Sequence, residues 1–527
     1  MLYFPLLFLS FLINALRLGD AQLSDHFHYG EWFAAFSSLK DSSDFVPLAI
    51  HGAVDWLPAL LAINLTDANS FMHLTHLIYL LLDLASCLLL WLILREFYNS
   101  AIALSSAALL IPFLIGSDIT GFREFSLLLL IYIYLIVSHA KNKNNKYVMV
   151  GVVAIGLVGV FNFFYTNNRG IVGTLLVGIV MFVHAFHDRR YLTAIAIILL
   201  GIIGAGYFSP VFSLSAHFGN IAVFSKTSYQ WSLGTRFEHL LLSAYLAIML
   251  ISSYALILRE VVRNGITTSN LNNLALSILL AVLSLFYFQY GTYRADTWHV
   301  KIGLVAFLIN LYVWLGLRRD NSIKFGDENS LILMFFIYMA ALTVYYGGPF
   351  FLLVPIVILN AISFSPRYDR YIKKTAFCGI FLVLVYLVAN GIRGYNKGEF
   401  DWIRSVAYNI ENQAVVPDAI DWVASELLLK KASCVFDLTN SGVINAASGL
   451  PACTRFSYVV YADLQYEEEV LEDLKKRDPS VIVYSTDGWM YAIDGRPMNL
   501  RFPKIDSYVR TVYLNETCEH GYCVRFK

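Results

Sequence analysis

The segment Tyr191-Leu-Thr-Ala-Ile-Ala-Ile-Ile-Leu-Leu-Gly-Ile-Ile-Gly-Ala-Gly-Tyr-Phe208 carries no charged side chain and is apolar almost throughout. A helix needs about 20 predominantly apolar residues to cross the hydrocarbon core of a bilayer. Apolar runs of similar length recur from Met1 to about Ile392, and the pattern then stops. This pattern predicts an α-helical multi-spanning membrane protein that ends in a soluble tail.

The composition agrees with this class. Of the 527 residues, 58% are apolar and 14% are charged, whereas about 25% of the residues of an average soluble protein are charged. The 38 Lys and Arg residues balance the 38 Asp and Glu residues. These values exclude a disordered chain, a coiled coil and an ordinary soluble enzyme. They also exclude a nucleic-acid-binding protein, because such a protein shows a basic surplus.

The apolar runs divide into about thirteen predicted spans, since each run is close to the length of one membrane crossing. The spans make up a predicted membrane domain, residues 1–392, and residues 393–527 form the tail. The predicted spans are 2–16, 74–94, 101–115, 126–139, 148–165, 171–186, 191–208, 239–258, 271–288, 300–317, 330–346, 350–364 and 375–392.

The loop charges predict which side of the membrane each loop faces. Loops that follow even-numbered spans carry roughly twice as many Lys and Arg side chains as the opposite loops, and basic residues stay preferentially in the cytoplasm. The long first loop, 17–73, and the tail are therefore predicted to be extracytoplasmic. The first span could instead be a cleaved signal peptide, which would not change this orientation.

The tail is predicted to be a small α/β domain. Apolar residues recur at helical spacing after Pro417, and two short apolar runs have the composition of buried strands. The order of these elements predicts a three-layer fold. The predicted helices are 417–431, 442–448 and 467–477, and the predicted strands are 434–438 and 480–485.

Cysteines are concentrated in the tail, which holds Cys434, Cys453, Cys518 and Cys523. Cys518 and Cys523 flank a turn-like segment, and Cys434 and Cys453 flank a predicted helix, so each pair could form a disulfide. Disulfides persist in oxidising compartments, which agrees with the predicted side of the membrane. A metal site is the alternative, but the spacing lacks the paired C-x-x-C units typical of such sites.

The densest set of polar side chains lies in the first loop. Charged groups next to a membrane are costly and usually functional. Asp25, His28 and Glu31 are three residues apart, so a helix would place them on one face, where they could bind Mg²⁺ or Mn²⁺ or a substrate hydroxyl. The alternative is an interfacial loop with ordinary histidines. The candidates in this loop are Asp25, His26, His28, Glu31, His51 and Asp55.

Shorter loops on the same predicted side hold further candidates. Arg294 could hold a phosphate oxygen through its planar guanidinium, with Asp296 and His299 close in sequence to orient it. The alternative is an Arg–Asp ion pair that closes a turn. The remaining candidates, which could also be interfacial anchors, are Arg123, Glu124 and Arg169.

The layout of the chain resembles the GT-C class of membrane glycosyltransferases, which combines a long acidic first outer loop, many further spans and an outer α/β tail. The likeness extends to bacterial members related to the aminoarabinose and arabinosyl transferases and to the protein mannosyltransferases, which implies that the chain lies in the inner membrane of a bacterium. It covers nearly the whole chain. The strings that resemble family motifs are His28-Tyr-Gly-Glu31, His51-Gly-Ala-Val-Asp55 and Arg294-Ala-Asp-Thr-Trp-His299.

The resemblance implies that a sugar moves from a polyprenyl-phosphate donor to an envelope glycan, lipid or protein acceptor at the outer face of the membrane, with inversion at the anomeric carbon. A carboxylate must then accept the proton of the acceptor hydroxyl, and positive groups must stabilise the departing phosphate. Asp25 is the expected base, and Glu31 with His28 would position the acceptor or a cation. The expected phosphate ligands are Arg294 with Arg169 or Arg123.

Three alternatives stay open from the sequence. An O-antigen-type polymerase or ligase would also use lipid-linked sugars but would depend less on the first-loop carboxylates. A lipid or sugar flippase would line a path through the spans with charges, whereas the candidates here lie on one predicted side. A structural or assembly subunit would make the acidic loop incidental. Release of free polyprenyl phosphate from a labelled donor separates the enzymes from the other two classes.

Overall fold

A computed structural model of the protein describes residues 27–41, 51–61, 68–97, 121–139, 145–208, 213–226, 271–294, 418–439, 444–462, 464–485 and 498–527. The described residues form a set of long apolar helices, a helical first loop and a small α/β tail. The boundary predicted between residues 392 and 393 lies outside the described residues.

The long helices follow the apolar runs of the sequence. They are α3 (Ala68–Arg95), α4 (Gly121–His139), α5 (Asn145–Tyr165), α6 (Arg169–Ala185), α7 (Tyr191–Phe208) and α9 (Leu271–Arg294), with the shorter α8 (Leu214–Lys226) after α7. Among the described residues, Lys146–Tyr165 and Tyr191–Phe208 are long and apolar enough to cross a membrane. On α7, Leu199, Leu200 and Ile203 are exposed, as expected for side chains that face lipid.

The predicted spans 74–94, 126–139, 148–165, 171–186, 191–208 and 271–288 largely coincide with these helices. The predicted spans 2–16, 101–115, 239–258, 300–317, 330–346, 350–364 and 375–392 lie outside the described residues. The total of about thirteen therefore stays a prediction, because it rests on the length of one crossing. The helix α8 was not predicted, because its mixture of polar and apolar residues is typical of a loop.

A buried polar network joins α4, α5 and α6. The hydroxyl of Ser126 donates to Asn162 Oδ1 at 2.7 Å, and Asn162 Nδ2 donates to the carbonyl of Gly170 at 3.0 Å and to Thr174 Oγ1 at 3.1 Å. A Cβ added at Gly170 would lie 1.9 Å from the carbonyl oxygen of Asn162. Small residues allow close helix approach in membranes, so Gly170 fixes how α6 meets α5.

The first loop folds into two helices and one turn. They are α1 (Phe27–Asp41), a 3-10 turn (Ala53–Asp55) and α2 (Leu57–Leu61). The backbones of His28 and Glu31 thus lie in a helix, the condition under which they would share a face. Asp25 and His26 precede α1 and lie outside the described residues.

The tail contains five helices and a three-stranded sheet among its described residues. The helices are α10 (Asp418–Leu429), α11 (Ile444–Ser448), α12 (Glu467–Arg477), α13 (Met498–Arg501) and α14 (Pro503–Val512), and the strands are β1 (Val481–Ser485), β2 (Asn515–Glu519) and β3 (Tyr522–Phe526). The sheet is antiparallel in the order β1-β3-β2, with Val483 opposite Val524 and Thr517 opposite Val524 on the other side.

The predicted helices of the tail are confirmed, but its strands are only partly as predicted. The predicted strand 434–438 was wrong as a regular strand, because it forms only isolated bridges, Val435 with Ala452 and Asp437 with Val483. The β2–β3 hairpin and α14 were missed. All five residues of β2 are exposed, so the strand lacks the alternation of polar and apolar residues that predicts strands.

Both expected disulfides are present, Cys434–Cys453 and Cys518–Cys523, with Cα–Cα distances of 5.1 and 4.1 Å. A metal site built from these four thiols is therefore excluded in this state, because their sulfurs are bonded to one another. Cys87 is an unpaired, buried cysteine within α3, as expected for an inert core residue. Cys378 lies outside the described residues.

Two hydrophobic cores contain most of the buried apolar side chains of the tail. The first, which we call the shared core, contains Trp32, Phe33 and Phe36 of α1 together with residues of the first-loop turn, of α2, α3 and α5, and of the tail. Its tail members are Ile420, Val423, Leu427, Ala432, Val435, Ile444, Ala446, Val481, Val483, Tyr522 and Val524. The second, the tail core, lies between α12, α14 and β1 and includes Val223 of α8. The tail is thus packed directly on the first loop.

Candidate functional site

Three helices bring a buried ion pair together at one end of the helix bundle. Arg169, the first residue of α6, donates from Nη1 to Glu124 Oε1 in the first turn of α4. The hydroxyl of Tyr287 on α9 donates to the other carboxylate oxygen, Glu124 Oε2. The guanidinium carbon of Arg169 also lies 5.5 Å from the centroid of the Tyr287 ring. All three side chains are buried, which is not the position of an interfacial anchor.

A second pair lies in the first-loop turn. The backbone N–H of His51 donates to Asp55 Oδ2 at 2.8 Å, and His51 Nδ1 is 3.1 Å from Asp55 Oδ1. A carboxylate at Nδ1 holds the proton of a neutral imidazole on that nitrogen and makes Nε2 its basic nitrogen. The pair is therefore an oriented acid–base unit.

The backbone around His51 is locked onto the connection between α5 and α6. Gly52 has a φ of 116°, a region that favours glycine. A Cβ at this position would lie 2.8 Å from the carbonyl oxygen of Tyr165 and 2.9 Å from that of Phe164. The N–H of Asn167 donates to the carbonyl of His51 at 2.7 Å. The turn cannot move away from the α5–α6 connection without losing these contacts.

Aromatic side chains hold the other side of the turn. The hydroxyl of Tyr79 on α3 donates to the carbonyl of Val54 at 3.0 Å. The ring of Trp32 on α1 lies 4.4 Å from the ring of Tyr79, centroid to centroid. The position of Asp55 thus depends on α1 and α3 as well as on the α5–α6 connection.

Burial and the local charges set the protonation of the pair. Burial raises the pKa of the Asp55 carboxyl to about 6, while the Arg123 guanidinium, the hydrogen bond from the His51 backbone N–H and the Trp32 side chain oppose the rise. Burial, with the charges of Arg123 and Arg169, lowers the pKa of the His51 imidazole well below its usual value of 6.5. Near pH 7 the carboxylate is therefore ionised and the imidazole neutral.

The two pairs belong to one group, which we call the charged cluster: His51, Asp55, Arg123, Glu124, Arg169 and Tyr287. Arg123 is buried and acts electrostatically on both His51 and Asp55, and Arg169 also acts on His51. Tyr165 lies within electrostatic reach of Asp55, Arg123 and Glu124. Residues that are more than two hundred positions apart in sequence, from 51 to 287, thus converge on one end of the bundle.

The structure brings together the predicted candidates His51, Asp55, Arg123, Glu124 and Arg169. His28 and Glu31 lie in α1 and Arg294 ends α9, but their side chains are outside the described part of the structure, as are Asp25, His26, Asp296 and His299 entirely. Their roles stay predictions. Sequence reasoning missed Tyr287 and Trp32. Tyr287 precedes Arg294 by two helical turns on the same face of α9, and this spacing is a signal that could have identified it.

One group of described residues has the spacing of metal ligands, Glu516, Cys518 and Cys523. Both cysteines form a disulfide with each other, and a disulfide sulfur is a poor ligand because metals bind the thiolate. The group therefore does not fit a metal ion. The side chains of the predicted cation ligands Asp25, His28 and Glu31 lie outside the described part of the structure.

Comparison with known structures gives matches across most of the chain. ArnT from Cupriavidus metallidurans in its apo state shares 12% identity with a TM-score of 0.52, covering 98% of this chain and 96% of ArnT. The oligosaccharyltransferase AglB from Archaeoglobus fulgidus, in complex with an inhibitory peptide and a dolichol-phosphate, shares 12% identity with a TM-score of 0.49, covering 92% of this chain and 69% of AglB. No protein-family model matches the sequence, and no curated protein matches it.

ArnT and AglB are GT-C superfamily members, and the likeness to ArnT extends over nearly the full length of both chains. At this level of identity the likeness concerns the fold. The chain thus shares the fold of ArnT, which agrees with the resemblance to the GT-C class read from the sequence.

Proposed function

We propose that the protein is a GT-C-type glycosyltransferase that moves a sugar from a polyprenyl-phosphate donor to an acceptor hydroxyl beside the charged cluster. The observation that carries this proposal is the convergence of two guanidinium groups and an oriented imidazole–carboxylate pair at one end of the helix bundle. The ArnT-like fold gives the same arrangement a membrane setting. The acceptor is an envelope glycan, a lipid or a protein.

The positive groups have a role in releasing the lipid phosphate. As the bond between the sugar and the phosphate breaks, negative charge grows on the phosphate oxygens, and fixed guanidinium groups stabilise it. Arg123 and Arg169 are both buried, and both act electrostatically on His51. Glu124 and Tyr287 hold the Arg169 guanidinium in place. Arg294, with Asp296 and His299, completes the phosphate site in this proposal.

Two sets of residues are candidates for the general base that accepts the proton of the acceptor hydroxyl. Asp25 is the base expected from the resemblance, with Glu31 and His28 positioning the acceptor or a divalent cation, and His26 nearby. Among the described residues, His51 with Asp55 is the better-supported pair, because the carboxylate orients a neutral imidazole. A general base acts best when it is deprotonated at the working pH and fixed in position. We assign the role of general base to the His51–Asp55 pair, with Asp25 as the alternative.

The reaction is proposed to occur on the extracytoplasmic side. The two disulfides of the tail support this side, because disulfides persist in oxidising compartments. The excess of basic residues in the opposite loops supports the same orientation. The shared core joins the tail to the first loop, so the charged cluster and the tail face the same compartment.

The function is tested by incubating the purified full-length protein with a panel of polyprenyl-phosphate-linked sugars and acceptors, and by following release of polyprenyl phosphate with mass spectrometry. A transferase releases polyprenyl phosphate together with a glycosylated acceptor. An O-antigen-type polymerase or ligase is indicated instead if the lipid carrier is released only when a second lipid-linked glycan is supplied. Intact donor throughout the panel, with the donor moved across a vesicle membrane, contradicts the proposal and favours a flippase.

The base is assigned by comparing Asp25→Asn with Asp55→Asn and His51→Gln. We expect transfer by the His51 and Asp55 variants to fall by about 100-fold or more, the usual contribution of a general base. Loss of activity in Asp25→Asn alone would return the role to Asp25. Repeating the assay with EDTA and then with added Mg²⁺ or Mn²⁺ tests whether Asp25, His28 and Glu31 hold a cation.

A further inference from the structure

The tail and the first loop share one hydrophobic core, although nearly four hundred residues of sequence separate them. The short helix α11 of the tail packs against α1 of the first loop and against α3. Behind α11 lies α10, whose Leu427 is fully buried in the same core. The tail therefore packs against α1 and restricts its position.

The helix α1 in turn holds the His51–Asp55 turn. Trp32 is buried on α1, its ring lies against that of Tyr79 of α3, and its side chain helps to lower the pKa of Asp55. The Tyr79 hydroxyl bonds to the carbonyl of Val54, next to Asp55. A path of buried contacts thus runs from Leu427 in the tail through Trp32 and Tyr79 to the backbone of Val54, the neighbour of Asp55.

We propose that the tail is a positioning element for the His51–Asp55 pair and reaches it through α1 and the indole of Trp32. The proposal rests on the proposed function for its catalytic consequence, but the positioning itself is a property of the fold. The tail then has a role in the transfer step without contacting the reacting atoms.

The titration of Asp55 reports on this positioning. Loss of the Trp32 indole removes a polar group that lowers the pKa of Asp55, so that pKa should rise further. Loosening the shared core should instead admit water and lower the pKa towards its ordinary value. The groups that act on Asp55 or His51 are Arg123 of α4, Arg169 of α6 and Trp32 of α1, and Tyr165 of α5 interacts electrostatically with Asp55.

The first experiment compares Trp32→Phe with Trp422→Phe in the full-length protein. Both remove an indole that packs in the shared core, but Trp422 lies on α10 and is only partly buried. The pH dependence of unfolding, taken as the difference between each protein and its own Asp55→Asn variant, isolates the Asp55 titration. We expect Trp32→Phe to move its midpoint upward by about 0.5 to 1 pH unit, and Trp422→Phe to leave it in place.

The second experiment compares Leu427→Ala with Leu474→Ala. Both leucines are fully buried on tail helices, but Leu427 belongs to the shared core and Leu474 to the tail core. We expect both variants to lose stability and only Leu427→Ala to shift the Asp55 midpoint, in this case downward. A midpoint that stays at the wild-type pH in both Trp32→Phe and Leu427→Ala overturns the proposal.

The transfer assay adds a separate readout. In Trp32→Phe the pH at which kcat rises should increase by the same interval, about 0.5 to 1 pH unit, while KM for the donor is unchanged. The activity of the variant should then be below that of the wild type near pH 6 and equal to it near pH 8. If the wild-type protein transfers no sugar at any pH, the proposed function fails, and the unfolding measurements still decide whether the tail positions Asp55.

Discussion

The Asp55 carboxyl makes the stability of the fold depend on pH. Its pKa is about 6 in the folded protein, against an ordinary value of 3.8. Folding therefore favours the protonated form, so the stabilisation is fully present below pH 4 and is lost as the pH rises through 6. We expect the free energy of unfolding to fall by on the order of 3 kcal/mol across this interval from this group.

The measurement is chemical unfolding at a series of pH values, with Asp55→Asn for comparison. The variant should lack the falling step between pH 4 and pH 7. Asp188→Asn is the control, because the Asp188 pKa is lowered by its hydrogen bonds to Arg190 and the carboxyl contributes in the opposite sense. Equal slopes in the wild-type protein and Asp55→Asn would contradict the assignment.

The Glu124–Arg169 pair is buried, so removing one partner leaves an uncompensated charge. We expect Glu124→Gln to destabilise the protein by about 3 to 5 kcal/mol. The control is Glu516→Gln, which breaks the pair of Glu516 with Arg525 at the tail surface and should cost at most about 1 kcal/mol. Both values come from unfolding in detergent, followed by intrinsic fluorescence.

A double variant separates stability from function at the same pair. Replacing both partners with apolar residues, as in Glu124→Leu with Arg169→Met, should restore most of the stability, because no buried charge stays unpaired. Transfer should remain lost, since the phosphate ligand is gone. Recovery of transfer in the double variant would remove Arg169 from the proposed phosphate site.

At the scale of the elements, the α5–α6 contact depends on the absence of a side chain at Gly170. A Cβ there would lie 1.9 Å from the carbonyl oxygen of Asn162, so Gly170→Ala should force the helices apart at a cost of about 1 to 3 kcal/mol. Gly178 lies on the same helix with no atom within 4 Å of an added Cβ. Gly178→Ala should be neutral or stabilise by up to about 1 kcal/mol. Similar melting temperatures for the two variants would exclude this close approach.

The elements that the sequence predicts well are those with a strong period. The apolar run 191–208 coincides with α7, and the charged helix 467–477 coincides with α12, because a long run or a clear helical face needs no tertiary information. The strand 434–438 was wrong as a regular strand, since its bridges to Ala452 and Val483 depend on distant segments. The exposed strand β2 has no pattern to read, and only its pairing with β3 makes it a strand.

The charged cluster likewise contains residues that the sequence predicts and residues that it does not. Charged residues next to apolar runs pointed to His51, Asp55, Arg123, Glu124 and Arg169, because such residues are costly near a membrane. Their pairing was not predictable, since Arg169 meets Glu124 only through the packing of α6 on α4. Trp32 is one of many aromatic residues in apolar segments, and nothing in the sequence separates it from the others, whereas Tyr287 has only its seven-residue spacing from Arg294 as a signal.

At the scale of the whole molecule, the orientation in the membrane is open to a direct test with the tail disulfides. Cys518 is exposed, whereas Cys434, Cys453 and Cys87 are buried. In right-side-out vesicles, a charged phosphine that does not cross the membrane should reduce Cys518–Cys523, and an impermeant maleimide should then label the tail. Inside-out vesicles should stay unlabelled.

The control for this labelling is the double variant Cys518→Ser with Cys523→Ser, which should lose the signal in right-side-out vesicles. Cys87 should contribute nothing in either preparation, because it is buried in α3. Strong labelling in inside-out vesicles alone would place the tail in the cytoplasm and would contradict the proposed side of the reaction.

The shared core has a consequence for how the protein is made. Its first members, near Trp32, leave the ribosome early, and its last, Tyr522 and Val524, are among the final residues synthesised. Contacts between such distant parts of a chain form slowly. The helix α1 therefore lacks its contacts with the tail while the intervening helices are inserted. Exposed apolar surface in unfinished chains is prone to aggregation. A chain that stops before residue 520 should therefore reach the membrane and still leave its first loop vulnerable to proteases.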